Sequence, residues 1–340
     1  MKIQSFLIAV LLLSCTGQAW ATSGHSIPVN TDNFVRAESD VYMQGIVDDG
    51  GFGKFEHARN FPALDKQLII RLNRDTLYSY AVVDLDASAA TLIMPNAAPR
   101  YMAAQVVNQD HMTVALWHQP GSHVLSRETA GTRYALIIIR TLVDETSKSD
   151  MGMAHELQDQ LVIKQERQGS FGIPLWDKAS QDDVRKLLLG LVARVPDYKR
   201  MFGTQQQIDP VRHLLGTAAG WGGNPEAEAI YAGGSVDQND GKAIYQIRLK
   251  DVPMKAFWSI SVYNADGYFE SNSMKRYSVN SVTADKQKDG SVVVQFGACD
   301  SKPSNCIPTM AGWNYLVRIY RPEPSVLDGS WSLPRPTLVP

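Results

Sequence analysis

The sequence predicts a mainly β protein with a helical insert, an α+β fold in which two antiparallel β-sandwich units are joined by helices. Three observations carry this. Short runs rich in Val, Ile, Thr and Tyr, separated by turn residues, fill residues 67–141. Helical apolar spacing dominates 145–232. From Val236 onward strand-like runs return, punctuated by Asp-Gly at 240–241, 266–267 and 289–290, the strongest short hairpin signal.

The chain begins "MKIQSFLIAVLLLSCTGQAWA", with Lys2 as a basic n-region, an apolar run from Phe6 to Leu13, and Ala19 and Ala21 flanking Trp20. This reads as an export signal over 1–21 with cleavage before Thr22. "LLSC" offers a second reading, a lipoprotein box with an anchor at Cys15. The run is too short to span a bilayer, and no later stretch reaches the roughly 20 apolar residues a span needs. A periplasmic or secreted protein is expected. Losing Lys2 takes the formal charge from −2 to −3. Such a balance recruits neither nucleic acid nor an anionic membrane.

Residues 31–48 open with Thr31 or Asp32 as a cap and place Phe34, Ala37, Val41 and Ile46 near helical spacing. The runs "QLIIRL", "TLYSYAVV", "ATLIMP", "RYMAAQVV", "HMTVALW" and "RYALIIIRT" then form the first β unit, residues 22–144. Pro120-Gly121 has the signature of a type II turn bending a hairpin. In the connecting segment, 145–235, Ser180 and Asp183 resemble a capping box. Val184, Leu187, Leu188, Leu191 and Val195 make one apolar stripe ended by Pro196. Asp209-Pro210 and Asn224-Pro225 each pair an N-cap residue with proline at the first helical position, predicting two shorter helices. The second β unit occupies 236–340.

After signal removal only Cys299 and Cys306 remain. Their proximity in an oxidising compartment favours a local disulfide, with two free thiols as the alternative. Zinc would want four ligands, and no metal site is predicted.

Strand alternation places side chains on two faces. In "TLYSYAVVDL", Leu77, Ser79, Ala81, Val83 and Leu85 share a core-like face, opposite Thr76, Tyr78, Tyr80, Val82 and Asp84. In "AFWSISVYNADG", Trp258, Ile260 and Val262 read as core, with Phe257, Ser259, Ser261 and Tyr263 opposite. In "WNYLVRIYRP", Tyr315, Val317 and Ile319 oppose Asn314, Leu316, Arg318 and Tyr320. Phenols, hydroxyls, an amide and a guanidinium suit a partly buried wall that meets a polar ligand. They equally suit packing against the other unit with the hydroxyls satisfied locally.

Asp75, in the Asn73-Arg74-Asp75 triplet, is either a general acid/base or metal ligand, or part of an Asx-type turn, paired to Arg74 or bonded to backbone amides. His118 and His123 flank the Pro-Gly turn and would face each other across a hairpin. No H-E-x-x-H, G-x-S-x-G, P-loop or G-x-G-x-x-G is in place.

"NRDTLYS", "MPNAAPRYMAAQVVNQD", "AFWSISVYNADGYF", "KDGSVVVQF", "GWNYLVRIYRP" and "VLDGSWSLPRP" together resemble the secreted proteins that pair domain of unknown function 1254 with domain of unknown function 1214. The resemblance covers most of the chain after residue 21. It implies two sandwiches of jelly-roll type joined by helices and supplies no reaction.

Three functional classes follow. The first is binding of a small polar or anionic ligand, a saccharide among them, between the β units. Its walls would be Tyr78, Tyr80, Ser259, Ser261, Tyr263 and Asn314, with Arg276 or Arg318 holding charge. The second is a hydrolase of envelope or extracellular material with Asp75 as acid/base. The third is a structural protein using the aromatic faces for a partner or a homo-oligomer. No residue pattern designates a cofactor.

Overall fold

A computed structural model describes residues 25–67, 70–301 and 304–340. The predicted export signal, its cleavage site and Cys15 lie outside these residues. No helix among the described residues is long and apolar enough to cross a membrane.

The fold is β-rich α+β, and among the described residues the strands pair antiparallel except for one two-residue parallel pairing and two isolated parallel bridges. The first unit contains β1 (Glu56–Ala58), β2 (Thr76–Asp84), β3 (Ala90–Met94), β4 (Met102–Asn108), β5 (Thr113–Trp117), β6 (Gly121–Leu125), β7 (Tyr134–Leu142) and β8 (Val162–Gln165). They form a five-stranded sheet, β1-β2-β7-β4-β5, and a three-stranded sheet, β6-β3-β8. Val83, Leu92, Ala104, Val106, Ile137 and Ile139 fill the space between the two.

The second unit contains β9 (Ala229–Gly234), β10 (Tyr245–Leu249), β11 (Trp258–Tyr263), β12 (Ser278–Asn280), β13 (Val292–Phe296), β14 (Cys306–Ile307), β15 (Asn314–Tyr320) and β16 (Thr337–Leu338). Its sheets run β14-β13-β10-β16 and β12-β11-β15-β9. The predicted core faces of β11 and β15 meet Ile247, Val294 and Phe296 of the facing sheet. Cys299 and Cys306 are joined as a disulfide beside β13 and β14.

Of the helices, α1 (Phe34–Asp48), α3 (Lys148–Asp159), α4 (Lys178–Val192) and α5 (Pro210–Gly220) are substantial, while α2 (Arg127–Ala130) and α6 (Pro324–Leu327) are single turns. Phe34 and Ala37 of α1 pack with Leu188 of α4 and Leu215 of α5. Met43 of α1 covers the outer face of β2 and β7 at Val82, Leu136 and Ile138. That leaves the other half of this sheet face for the second unit.

Several local expectations give way to tertiary context. Asn33, not Thr31 or Asp32, occupies the N-cap position of α1, and its side chain turns back to accept from Asn30 N. Val41 points outward. Helix α4 starts a turn earlier than expected, because Asp177 accepts from Ser180 N at 2.9 Å. The helix stops at Val192, and of its leucine stripe only Leu188 is buried, with Leu187 at 73% and Leu191 at 55% exposure. It presents one narrow line to its neighbours.

Asp209-Pro210 starts α5 as expected, Asp209 accepting from Val211 N and Arg212 N. Asn224-Pro225 gives a single turn instead of a helix, because the ladder between β9 and β15 begins at Ala229. In "QLIIRL" the described residues are loop, with Arg71 at φ 54. Leu68 and Ile69 lie outside the described residues.

Gly121 turns with φ 111, but it joins β5 to β6, which belong to different sheets. The Asp-Gly turns at 240–241 and 289–290 likewise change sheets, and only the one at 266–267 lies between paired strands, β11 and β12.

Candidate functional site

The outer faces of β2, β7 and β4 meet the outer faces of β11, β15 and β9, so the phenol-bearing faces read from sequence confront each other across the seam between the units. Phe257 and Tyr320 stack with centroids 4.2 Å apart, and Tyr101 of the first unit packs on both.

Asp75 is buried at the entrance of β2. Asn73 makes the Asx turn, accepting from Asp75 N at 2.9 Å, while Arg74 pairs with Glu145 at 2.5 Å. The Asp75 carboxylate, tied to neither Arg74 nor the turn amides, crosses the seam. Its Oδ2 accepts from Ser259 Oγ at 2.5 Å, and among the described residues Oδ1 has no hydrogen-bond partner. Burial raises the Asp75 pKa, against the opposing pull of Arg318, the Ser259 hydrogen bond and the nearby Tyr320 hydroxyl.

Arg318 donates to Tyr263 OH at 2.8 Å, to Ser261 Oγ at 3.1 Å and to Arg71 O at 2.8 Å. The nearby phenols and Asp75 hold it charged despite burial.

A second buried guanidinium, Arg140 of β7, donates to Gln105 Oε1 and Gly222 O, both at 2.7 Å, and lies 5.5 Å from the Tyr78 ring. Burial alone would raise the Tyr78 pKa. The Arg140 charge and hydrogen bonds from Asn73, Thr76 and Arg140 outweigh it, so the phenol is lowered. Asn73 Nδ2 reaches Tyr78 OH at 3.1 Å and Tyr320 OH at 3.2 Å, linking a phenol of each unit. Tyr320 is raised well above the usual range, first by burial and then by the Asp75 charge.

Tyr78 and Tyr231 lie deep among neighbouring atoms, yet each retains accessible surface. Arg140 acts on both phenols. At the far end, Glu228 accepts from Tyr101 OH at 2.5 Å and contacts His118 Nε2 at 3.0 Å.

The seam thus brings together Asp75, Tyr78, Ser259, Ser261, Tyr263 and Arg318. Tyr80 stacks on Tyr78, 5.6 Å between centroids, and packs toward α1. Asn314 donates to Asn264 O at 2.6 Å at the far end of β15, and Arg276 lies outside the seam, donating to Cys306 O at 3.4 Å. His118 and His123 do not face each other. His123 stacks on Trp117 and contacts Gln119 O, because the turn between them parts the two sheets.

Sequence reasoning missed Arg140, Tyr101, Tyr231 and Glu228. Arg140 had a visible signal, a single cation ending the apolar run "ALIIIRT". Among the described residues, no cluster of three or more His, Cys, Asp or Glu side chains suits a metal ion.

A crystal structure of the VPA0106 protein from Vibrio parahaemolyticus superposes with a TM-score of 0.69 at 16% identity, covering 91% of this chain and 98% of that one. An uncharacterised protein from Burkholderia cenocepacia gives 0.52 at 14% identity, covering 91% and 88%. At such identities the likeness concerns fold alone. No curated protein matches. The family described as protein of unknown function (DUF1254) matches residues 52–130, and that described as protein of unknown function (DUF1214) matches 228–324. The two matched segments supply the facing walls of the seam, Asp75, Tyr78 and Tyr101 from one and Ser259, Arg318 and Tyr320 from the other, and the chain belongs to the proteins that pair DUF1254 with DUF1214.

Proposed function

We propose that the protein binds a small polar ligand bearing an anionic group in a hollow at the seam between its two β units, beside Tyr78, Tyr231 and Arg140. The observation that carries this is the accessible surface on Tyr78 and Tyr231 beside the buried Arg140 charge. A seam built only for cohesion would be served better by apolar side chains. Two buried guanidiniums and a buried carboxylate with a vacant oxygen cost desolvation that packing alone does not return. Phenol walls with a guanidinium at one side suit an acidic sugar, whose faces stack on rings and whose carboxylate takes a charged donor. The Cys299–Cys306 disulfide supports an oxidising compartment for this role.

The test is thermal unfolding with glucuronate, glucose and inorganic phosphate as probes. A ligand that binds only the folded state raises the midpoint with concentration. The reading expects a rise with an anionic probe that Arg140→Met abolishes. No rise with any probe opposes it.

A second reading, acid/base catalysis, is favoured by one observation. Asp75 and Tyr78, both joined to the Asn73 turn, have pKa values pushed in opposite directions, up for the carboxyl and down for the phenol. The two shifts bring both groups toward neutrality, where a general acid and a general base work best. In this reading Asp75 is the acid and Tyr78 the base.

A further inference from the structure

Outside the seam, two cavities of about 650 and 200 Å³ open side by side where the units join, and share Val143, Asp144, Asn280 and Thr283. Strand β12 runs along both. Residues Lys275 to Asn280 line the smaller cavity, and Asn280, Val282 and Thr283 the larger. β12 is the outermost strand of its sheet and pairs with β11 on one side.

Val262 N donates to Tyr277 O at 3.1 Å and Ser281 N to Trp258 O at 2.9 Å. Antiparallel alternation then points the peptide groups of Ser278 and Asn280 away from β11. Asn280 O is taken by Ala284 N at 3.0 Å. Among the described residues the Ser278 N–H, the Ser278 C=O and the Asn280 N–H take no partner, leaving a donor, acceptor, donor row along the cleft.

Charge is graded along the same line. Arg74 is spent on Glu145 and Arg100 on Asp150. The smaller cavity keeps Lys275 and Arg276 with Asp285, the larger adds Glu156 with no unpaired cation among the described residues, and Asp144 stands on the border of both. Leu142, Met153, Leu157 and Val282 give the larger cavity an apolar wall.

The geometry points to a short peptide of about three residues with free ends, lying extended along β12 as an added strand. Its amine sits toward Asp144 and Glu156, its carboxylate toward Lys275 and Arg276, and an apolar side chain against Met153 and Val282. An oligosaccharide would use neither the graded charge nor the backbone row. This site is separate from the seam hollow and stands without it.

Titration calorimetry with the tripeptide Ala-Leu-Ala tests it, comparing free ends with an N-acetylated, C-amidated form. The free peptide is expected to bind, and the capped form about tenfold or more weaker, from losing both charge contacts. Ser278→Pro deletes the outward N–H while leaving the β11 ladder intact, since proline is tolerated on an edge strand. It is expected to lose about tenfold, and Ser278→Ala, which keeps the N–H, to lose less. If Ser278→Pro does not fold, Lys275→Glu replaces it, with a similar loss expected for the free peptide. Absence of binding by the free peptide overturns the proposal. Equal binding of both forms does so too, as does equal binding by the proline and alanine variants. A glucuronate response that depends on Arg140, without peptide binding, ends this inference and leaves the seam reading standing.

Discussion

Ser259 Oγ donates to Asp75 Oδ2 at 2.5 Å, a hydrogen bond between residues 184 positions apart that ties the mouth of β2 to the start of β11. It fixes one carboxylate oxygen and leaves the other without a partner in a place where water is scarce. The electrostatics of the seam follow from that arrangement.

Asp75 has a pKa raised by burial, so its neutral form is the one the folded state favours. Its stabilising contribution is complete below the unfolded-state value of about 4 and is lost as pH rises through the folded value. Asp75→Asn, which mimics the neutral form, should therefore gain stability relative to the parent as pH is raised from about 4 to neutrality. Urea midpoints of the two proteins across that range check this. A constant difference would mean that Asp75 titrates normally.

Tyr78 titrates the other way. Burial opposes ionisation, but Arg140 and the hydrogen bonds prevail, and the phenol lies below the ordinary tyrosine range. An alkaline titration followed by phenolate absorbance should show one tyrosine ionising ahead of the rest, absent in Tyr78→Phe. Its ionisation stabilises the fold above the unfolded pKa, an advantage lost as pH falls through the folded value. Identical early titration in both proteins would assign that ionisation elsewhere.

Arg318 and Arg276 read alike in the sequence, yet the structure separates them. Arg318 is buried with four partners from two segments, and Arg318→Ala should cost about 3–5 kcal/mol by leaving the cluster uncompensated. Arg276 is half-buried at the edge of a cleft, and Arg276→Ala should stay within about 0.5 kcal/mol. Urea unfolding measures both, and comparable losses would contradict the assignment of Arg318 to the seam interior.

What was legible beforehand was periodic. The two-residue alternation of β2, β11 and β15 identified both the core faces and the polar faces, because pleating depends on the strand alone. Partners across the seam were not legible. Asp75 was read against its neighbours Arg74 and the turn amides, whereas its actual partner is brought in by the second unit. Asp-Gly specified turns at 241, 267 and 290, all with positive φ, but turn chemistry does not say whether the next strand stays in the same sheet. Helix α4 shows the converse, since its leucine repeat outnumbers the neighbours available to cover it.

The Cys299–Cys306 disulfide closes a short loop at the end of β13. Replacing both cysteines by alanine should cost about 2–3 kcal/mol, through freedom restored to the unfolded chain. Thermal unfolding with and without reductant checks it, the double variant matching the reduced parent. An unaltered midpoint in both comparisons would show that the link contributes nothing.

The most direct measurement is a pair of urea melts, parent against Tyr78→Phe. If Tyr78 borders a hollow, water replaces the lost hydroxyl, and the midpoint should shift by less than about 1 kcal/mol equivalent at unchanged slope. If the hydroxyl is sealed within the seam, its hydrogen bonds with Asn73 and Arg140 are lost with no water to replace them, at a cost of about 1–3 kcal/mol. A clear fall in midpoint at the same slope would contradict a ligand-binding hollow between the units.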